Sequence, residues 1–194
     1  LRVEFDEGEA ENRVHAEAAE EIFRRHSLLR LKAADTAGDR DRLWKMRRAI
    51  SPSLTRLASG KINEDVAVPR GKIPALVQFI ERLAEGTGAV IPVYGHAGDG
   101  NLHVNFMYNR DKPQDFERAK QGVEIVLREV VRLGGTISGE HGIGLSKRDY
   151  LPLQFPPEML ELHRRLKAAF DPLNILNPGK MFHMSEEETD NEPV

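Results

Sequence analysis

An α+β fold, an antiparallel sheet with helices packed on one face, is what this 194-residue sequence predicts. Three observations carry that prediction. Residues 93–106 alternate apolar and polar side chains on both sides of Asp99-Gly100, the pattern of a β-hairpin. Residues 115–133 place Phe116, Ala119, Val123, Val126, Leu127 and Val130 at helical spacing, so one stripe of that helix is apolar. Strand and helix patterns then alternate along the chain in the order of a ferredoxin-like sheet.

Taken in order, residues 1–5 read as a strand, and residues 7–26 as a helix that buries Val14, Ala18, Ala19, Ile22 and Phe23. Residues 28–33 read as a second strand. A helix over 39–50 ends at Ser51-Pro52-Ser53. Residues 61–68 form a third strand closed by Pro69, and residues 74–85 a helix stopped by Gly86-Thr87-Gly88. The hairpin follows. After it, the helix over 115–133 stops at Gly134-Gly135, a C-cap signal. A last helix over 157–170 turns out through Asp171-Pro172. Residues 1–184 read as one domain, and residues 185–194, acidic and poor in apolar side chains, as a disordered tail. A start at Leu1, without Met, suggests a fragment of something longer.

Composition narrows the function. A net charge of −3 gives no electrostatic footprint for nucleic acid. No apolar run approaches the roughly 20 residues of a membrane span. The absence of cysteine excludes disulfides and thiolate ligands and points weakly to the cytoplasm. Any metal must therefore be held by histidine and carboxylate.

The hairpin supplies the first candidates. A two-residue type I′ turn at Asp99-Gly100 places His96 directly opposite His103, with Cβ atoms roughly 5 Å apart. Alternation then gathers Tyr94, His96, His103 and Asn105 on one face and Ile91, Val93, Ala97, Leu102, Val104 and Phe106 on the other. Two imidazoles facing the same way suit one divalent ion. The glycine-rich stretch Ser138-Gly139-Glu140-His141-Gly142-Ile143-Gly144 can add Glu140 as a third ligand, and a His₂Glu set with an open position is a catalytic zinc arrangement. A solvated Glu-His pair in a flexible loop is the competing reading. On an extended chain His141 points away from Glu140, which leaves it available as a general base. Arg47, Arg48, Lys61, Lys147 and Arg148 make up a basic surface that could hold a carboxylate.

These stretches, Gly95-His96-Ala97-Gly98-Asp99-Gly100-Asn101-Leu102-His103, Gly134 through Gly144, Phe170-Asp171-Pro172 and Asn177-Pro178-Gly179-Lys180, together resemble the C-terminal domain of FAD-linked oxidases of the vanillyl-alcohol oxidase type. That family includes the glycolate oxidase D subunit, D-lactate dehydrogenase and D-2-hydroxyglutarate dehydrogenase. The resemblance covers nearly the whole chain. It implies a cap over the flavin ring of a D-2-hydroxy-acid dehydrogenase or oxidase, with FAD held mostly by an N-terminal domain that these residues do not contain. It places metal ligands on His96, His103 and Glu140, with zinc as the expected ion, and the catalytic base on His141. Substrate contacts fall on Arg47, Ser51 and Asn105. A lysine contact falls near Lys61, although Asn63 is the closer positional match. Asn177 is the implied flavin contact. The implied partners are a small 2-hydroxy acid, the flavin domain, an electron-acceptor subunit and a second copy of the chain, and the implied location is cytoplasmic or peripheral at a membrane through partner subunits. Without the flavin domain, the fragment is expected to be inactive. A metal-dependent hydrolase and a non-catalytic ligand-binding or interaction module are the alternatives.

Overall fold

The structure is a computed structural model, and it describes residues 2–5, 7–26, 30–34 and 36–183. The expected tail over 185–194 and the Leu28-Leu29 start of the expected second strand lie outside the described residues. The chain divides into two compact units, Leu1–Ile50 and Ser51–Val194.

In the first unit, helix α1 spans Glu9–Arg25, and helix α2, Ala37–Ser53, begins. Thr36 caps α2, its hydroxyl accepting the Asp39 N–H at 3.1 Å. The strands expected over 1–5 and 28–33 do not form among the described residues. A strand needs a partner edge, and residues 30–34 are exposed throughout with none beside them. The apolar stripe expected on α1 is largely open as well: Val14 is 65% and Ile22 54% exposed. Helix α2 also continues through Pro52 instead of ending before it.

The second unit holds the sheet. Its elements are β1 (Gly60–Ala67), α3 (Ile73–Thr87), β2 (Val93–His96), β3 (Asn101–Tyr108), α4 (Pro113–Arg132), the short α5 (Leu151–Gln154) and α6 (Pro157–Phe170). The strands are antiparallel in the order β1-β3-β2. Beyond β1, Thr136 makes an isolated antiparallel bridge to Ala67, at the place where a ferredoxin-like sheet would carry its fourth strand.

Alternation decides which face the helices cover. Val66, Leu102, Val104 and Phe106 point to one side, where they pack with Leu76 and Ile80 of α3 and Val123, Val126, Leu127 and Val130 of α4. The other side carries Lys61, Asn63, Asp65, Tyr94, His96, Asn101, His103 and Asn105. Helix α4 ends as its Gly-Gly signal predicts. Gly134, at φ 77°, donates to Val131 O and Gly135 donates to Val130 O, both at 2.9 Å, a Schellman closure.

The hairpin differs from expectation by two residues. His96 pairs with Asn101 and Tyr94 with His103, so the loop is the four residues 97–100 and not Asp99-Gly100 alone. Only Gly100 takes a positive φ, 76°, whereas a type I′ turn needs two such residues. A second strand explains the choice. Gly100 O accepts the Val68 N–H at 3.0 Å, and a Cβ on Gly100 would lie 2.0 Å from Val68 O. Because the slip is two residues, the paired side chains keep their faces, whereas Ala97, expected on the core face, lies exposed in the loop.

Among the described residues, no helix is long and apolar enough to cross a membrane.

Candidate functional site

The polar face of the sheet is built by three strands and one loop. Asp65 on β1 pairs with His103 on β3, which pairs in turn with Tyr94 on β2. The loop after α4 lies against this row. Asp65 is fully buried, and its Oδ2 accepts the backbone N–H groups of Gly139 (3.0 Å), Glu140 (2.8 Å) and His141 (2.8 Å). Three successive amides can converge on one oxygen only where the backbone curls, so Glu140 and His141 do not alternate as they would on a strand. This corrects the expectation that His141 points away from Glu140. Both side chains reach the same cluster.

Asp65, His103, Glu140 and His141 each bring a ligand atom within 4.8 Å of the others. His103 Nε2 lies 3.6 Å from Glu140 Oε1, and His141 Nε2 lies 3.9 Å from the same oxygen. The His141 ring stacks on His103 at 5.6 Å between centroids. His96 is exposed and outside that group of four, with its ring edge-on to His103 at 5.7 Å. The structure therefore brings His103, Glu140 and His141 together and leaves His96 at the rim.

Electrostatics suit a cation. Burial pushes the His103 imidazole below its ordinary pKa, against the pull of Asp65 and Glu140, so the ring is neutral at pH 7 and has a lone pair to give. For Asp65, burial alone would raise the pKa. The His141 and Glu140 amides outweigh it and hold the group below the ordinary carboxylate range, ionised. Four side-chain oxygens on this face, Asn63 Oδ1, Asp65 Oδ1, Asn101 Oδ1 and Asn105 Oδ1, are buried without a hydrogen-bond partner among the described residues. Buried acceptors are rarely left so, and together they mark a place for a donor or a positive ion. The nitrogen and oxygen donor set fits a divalent metal ion.

The other sequence candidates are placed as follows. Lys61 Nζ donates to Ser51 Oγ at 3.0 Å, so those two stand together. Asn105 is fully buried, with Nδ2 donating to His103 O and Pro92 O. Arg47 lies on α2 in the first unit. Asn177 sits at φ 54° in a surface cleft with Arg164, Lys167, Asn174 and Lys180. Asp171 closes the turn before it, accepting from the N–H groups of Ile175 and Leu176.

Two residues matter here that the sequence reading did not single out correctly. Asp65 carries the cluster, and its signal was the alternation of Asn63 and Asp65 along β1, readable once β1 is paired with β3. Lys147 was expected on a basic surface but is only 4% exposed. It spans from the loop to β1, donating to Asp65 O at 2.5 Å and Ile137 O at 2.8 Å, with Glu64 Oε2 3.5 Å away. Two carbonyls and a carboxylate satisfy an ammonium that burial would otherwise make costly.

Comparison with known proteins now bears on the same residues. Residues 1–181 match the family "FAD linked oxidases, C-terminal domain". The chain is 39% identical over 166 residues to the glycolate oxidase subunit GlcD of Bacillus subtilis, covering 86% of this chain and 35% of that protein. To the D-lactate dehydrogenase of Archaeoglobus fulgidus it is 41% identical over 167 residues, 86% of this chain and 36% of the relative. To the D-2-hydroxyglutarate dehydrogenase of Stutzerimonas stutzeri it is 38% identical over 144 residues, 72% of this chain and 31% of the relative. The chain thus spans about a third of the length of the curated relatives it matches. With a match running from the first residue through the Asn177-Pro178-Gly179-Lys180 turn, this chain belongs to the C-terminal domain family of the FAD-linked oxidases.

Proposed function

We propose that this chain is the substrate-side domain of a flavin-dependent dehydrogenase or oxidase of D-2-hydroxy acids, of the glycolate, D-lactate or D-2-hydroxyglutarate type. The observation that carries the reading is the cluster of Asp65, His103, Glu140 and His141 on the polar sheet face of a chain from this family.

FAD, held mainly by a domain outside these residues, supplies the two-electron acceptor for the hydride leaving C2 of the substrate. A divalent ion, zinc in this reading, supplies Lewis-acid polarisation of the 2-hydroxyl. His103 and Glu140 would hold the ion, with His96 at the rim as the further ligand. Support comes from the neutral His103 ring and the unpartnered Asp65 oxygen beside it. Ser51 and Lys61 take the substrate carboxylate, a role for which the hydrogen bond between them already orders both. Asn105 offers its unpartnered Oδ1 to the substrate beside the metal ligands. His141, half exposed where Glu140 and His103 are within reach, takes the hydroxyl proton as hydride leaves. Asn177 contacts the flavin. The enzyme works in the cytoplasm or on a membrane surface, passing electrons to an acceptor subunit and pairing with a second copy.

The test is anaerobic mixing of the intact flavoprotein with glycolate, D-lactate and D-2-hydroxyglutarate, followed at the flavin absorbance. Bleaching by at least one of them is expected, and replacing His141 by Ala should slow it about 10²- to 10⁴-fold, the usual worth of a general base. A flavoprotein that none of the three acids reduces contradicts the reading.

A further inference from the structure

The loop that carries Glu140 and His141 is fastened to β1 at two points, and both fastenings meet at one residue. On the site side, Asp65 Oδ2 takes the three amides of Gly139, Glu140 and His141. On the main chain, Asp65 O accepts from Lys147 Nζ at 2.5 Å, and from Gly139 N at 3.3 Å. Lys147 also reaches Ile137 O, so its ammonium ties the loop's start to β1 from the loop's end. Between these ties there is no room to spare: a Cβ on Gly139 would lie 2.8 Å from Asp65 Oδ1 and 2.9 Å from the Asn101 side chain.

We infer that Asp65 and Lys147 form a clasp, with Asp65 as the positioning residue that aims Glu140 and His141 at His103, and Lys147 as the buried cation that locks the loop closed. The inference rests on the proposed metal role of His103 and Glu140 and adds the device that sets their spacing. Its physical basis is direct. Glu140 is half exposed and, among the described residues, its side chain has no hydrogen-bond partner that would fix its rotation, so its place beside His103 depends on where its backbone is held. Asp65 Oδ1 meanwhile stands 3.9 Å from His103 Nδ1, so the carboxylate lies on the Nδ1 side of the ring and Glu140 on the Nε2 side. Lys147 lies with Glu64 on the core side of the same strand, too deep to touch a ligand in the cluster.

The experiment compares the intact polypeptide with its Asp65→Asn and Lys147→Met variants in two ways. Zinc titration should show affinity lowered about ten- to a hundredfold in both variants, the usual effect of losing an outer partner of a metal ligand. Amide hydrogen exchange should show protection lost over residues 136–147 while β3 and α4 keep theirs. Zinc affinity within twofold of the parent in both variants overturns the clasp. So does loss in Asp65→Asn alone, which makes Asp65 a direct ligand, or protection falling equally across β3 and α4, which makes the pair merely structural. A parent chain that binds no zinc refutes the proposed metal role, and the exchange pattern then decides the clasp without it.

Discussion

Asp65 illustrates how one side chain can set a site it does not dominate by charge alone. Its carboxylate is fully buried, yet the His141 and Glu140 amides keep it ionised at the bottom of the cluster. The neighbouring loop must come close enough to deliver those amides, and that is why residue 139 has no side chain. Gly139→Ala is expected to destabilise the chain by about 1–3 kcal/mol, the usual cost of overpacking, because the Cβ would meet both Asp65 and Asn101. A urea unfolding midpoint measures it. Gly142→Ala, whose Cβ would meet nothing within 4 Å but whose φ is 76°, should cost only about 1–2 kcal/mol by backbone strain. The candidates read from residue type alone were of mixed quality at this scale. The structure brings His103 and Glu140 together and adds His141 against the expectation that it points away, while Lys147 is an internal strut. Nothing in a Lys-Arg pair after a glycine loop reveals that two carbonyls 82 and 10 residues back along the chain will solvate the ammonium.

At the scale of elements, the apolar stripes and the strand alternation were the most legible features. Helix α4 buries the Val123, Val126, Leu127 and Val130 that its periodicity picked out. Leu127→Ala should therefore cost about 2–5 kcal/mol in a denaturant titration, while Ile125→Ala, 43% exposed on the opposite side, should cost well under 1 kcal/mol. The hairpin was legible in its faces but not its register. Asp99-Gly100 is a strong local turn signal, but Val68 claims the Gly100 carbonyl and the loop opens to four residues. A slip of two preserves parity, so Tyr94, His96, His103 and Asn105 still share a face, while the expected pairings, His96–His103 among them, are lost. Among the described residues, the strands expected in the first fifty positions do not form, for a related reason. Alternation without a partner edge does not make a sheet.

For the molecule as a whole, three internal carboxylates set the acid response. The hydrogen bond from Lys167, followed by the Leu176 and Ile175 amides, holds Asp171 below the ordinary carboxylate range. Asp65 is likewise lowered, its amides outweighing burial. Groups so lowered bind protons more weakly folded than unfolded. Their stabilisation is complete above the ordinary carboxylate range and is lost as pH falls through the lowered native values. Glu64 runs the other way: burial raises it, only partly offset by Lys147, so its contribution is lost as pH rises through the raised value. Thermal unfolding followed from pH 7 to pH 2 should therefore drop on the acid side, and Asp171→Asn should make that drop shallower.

We propose the polar sheet face as a metal centre with His103 and Glu140 at its heart. Stripping the intact polypeptide with chelator, restoring zinc and measuring bound metal per chain tests it most directly. One zinc per chain, lost on replacing His103 by Ala and on replacing Glu140 by Gln, is the predicted result. A parent chain that takes up no zinc, or a His103→Ala chain that holds it as tightly as the parent, would contradict it.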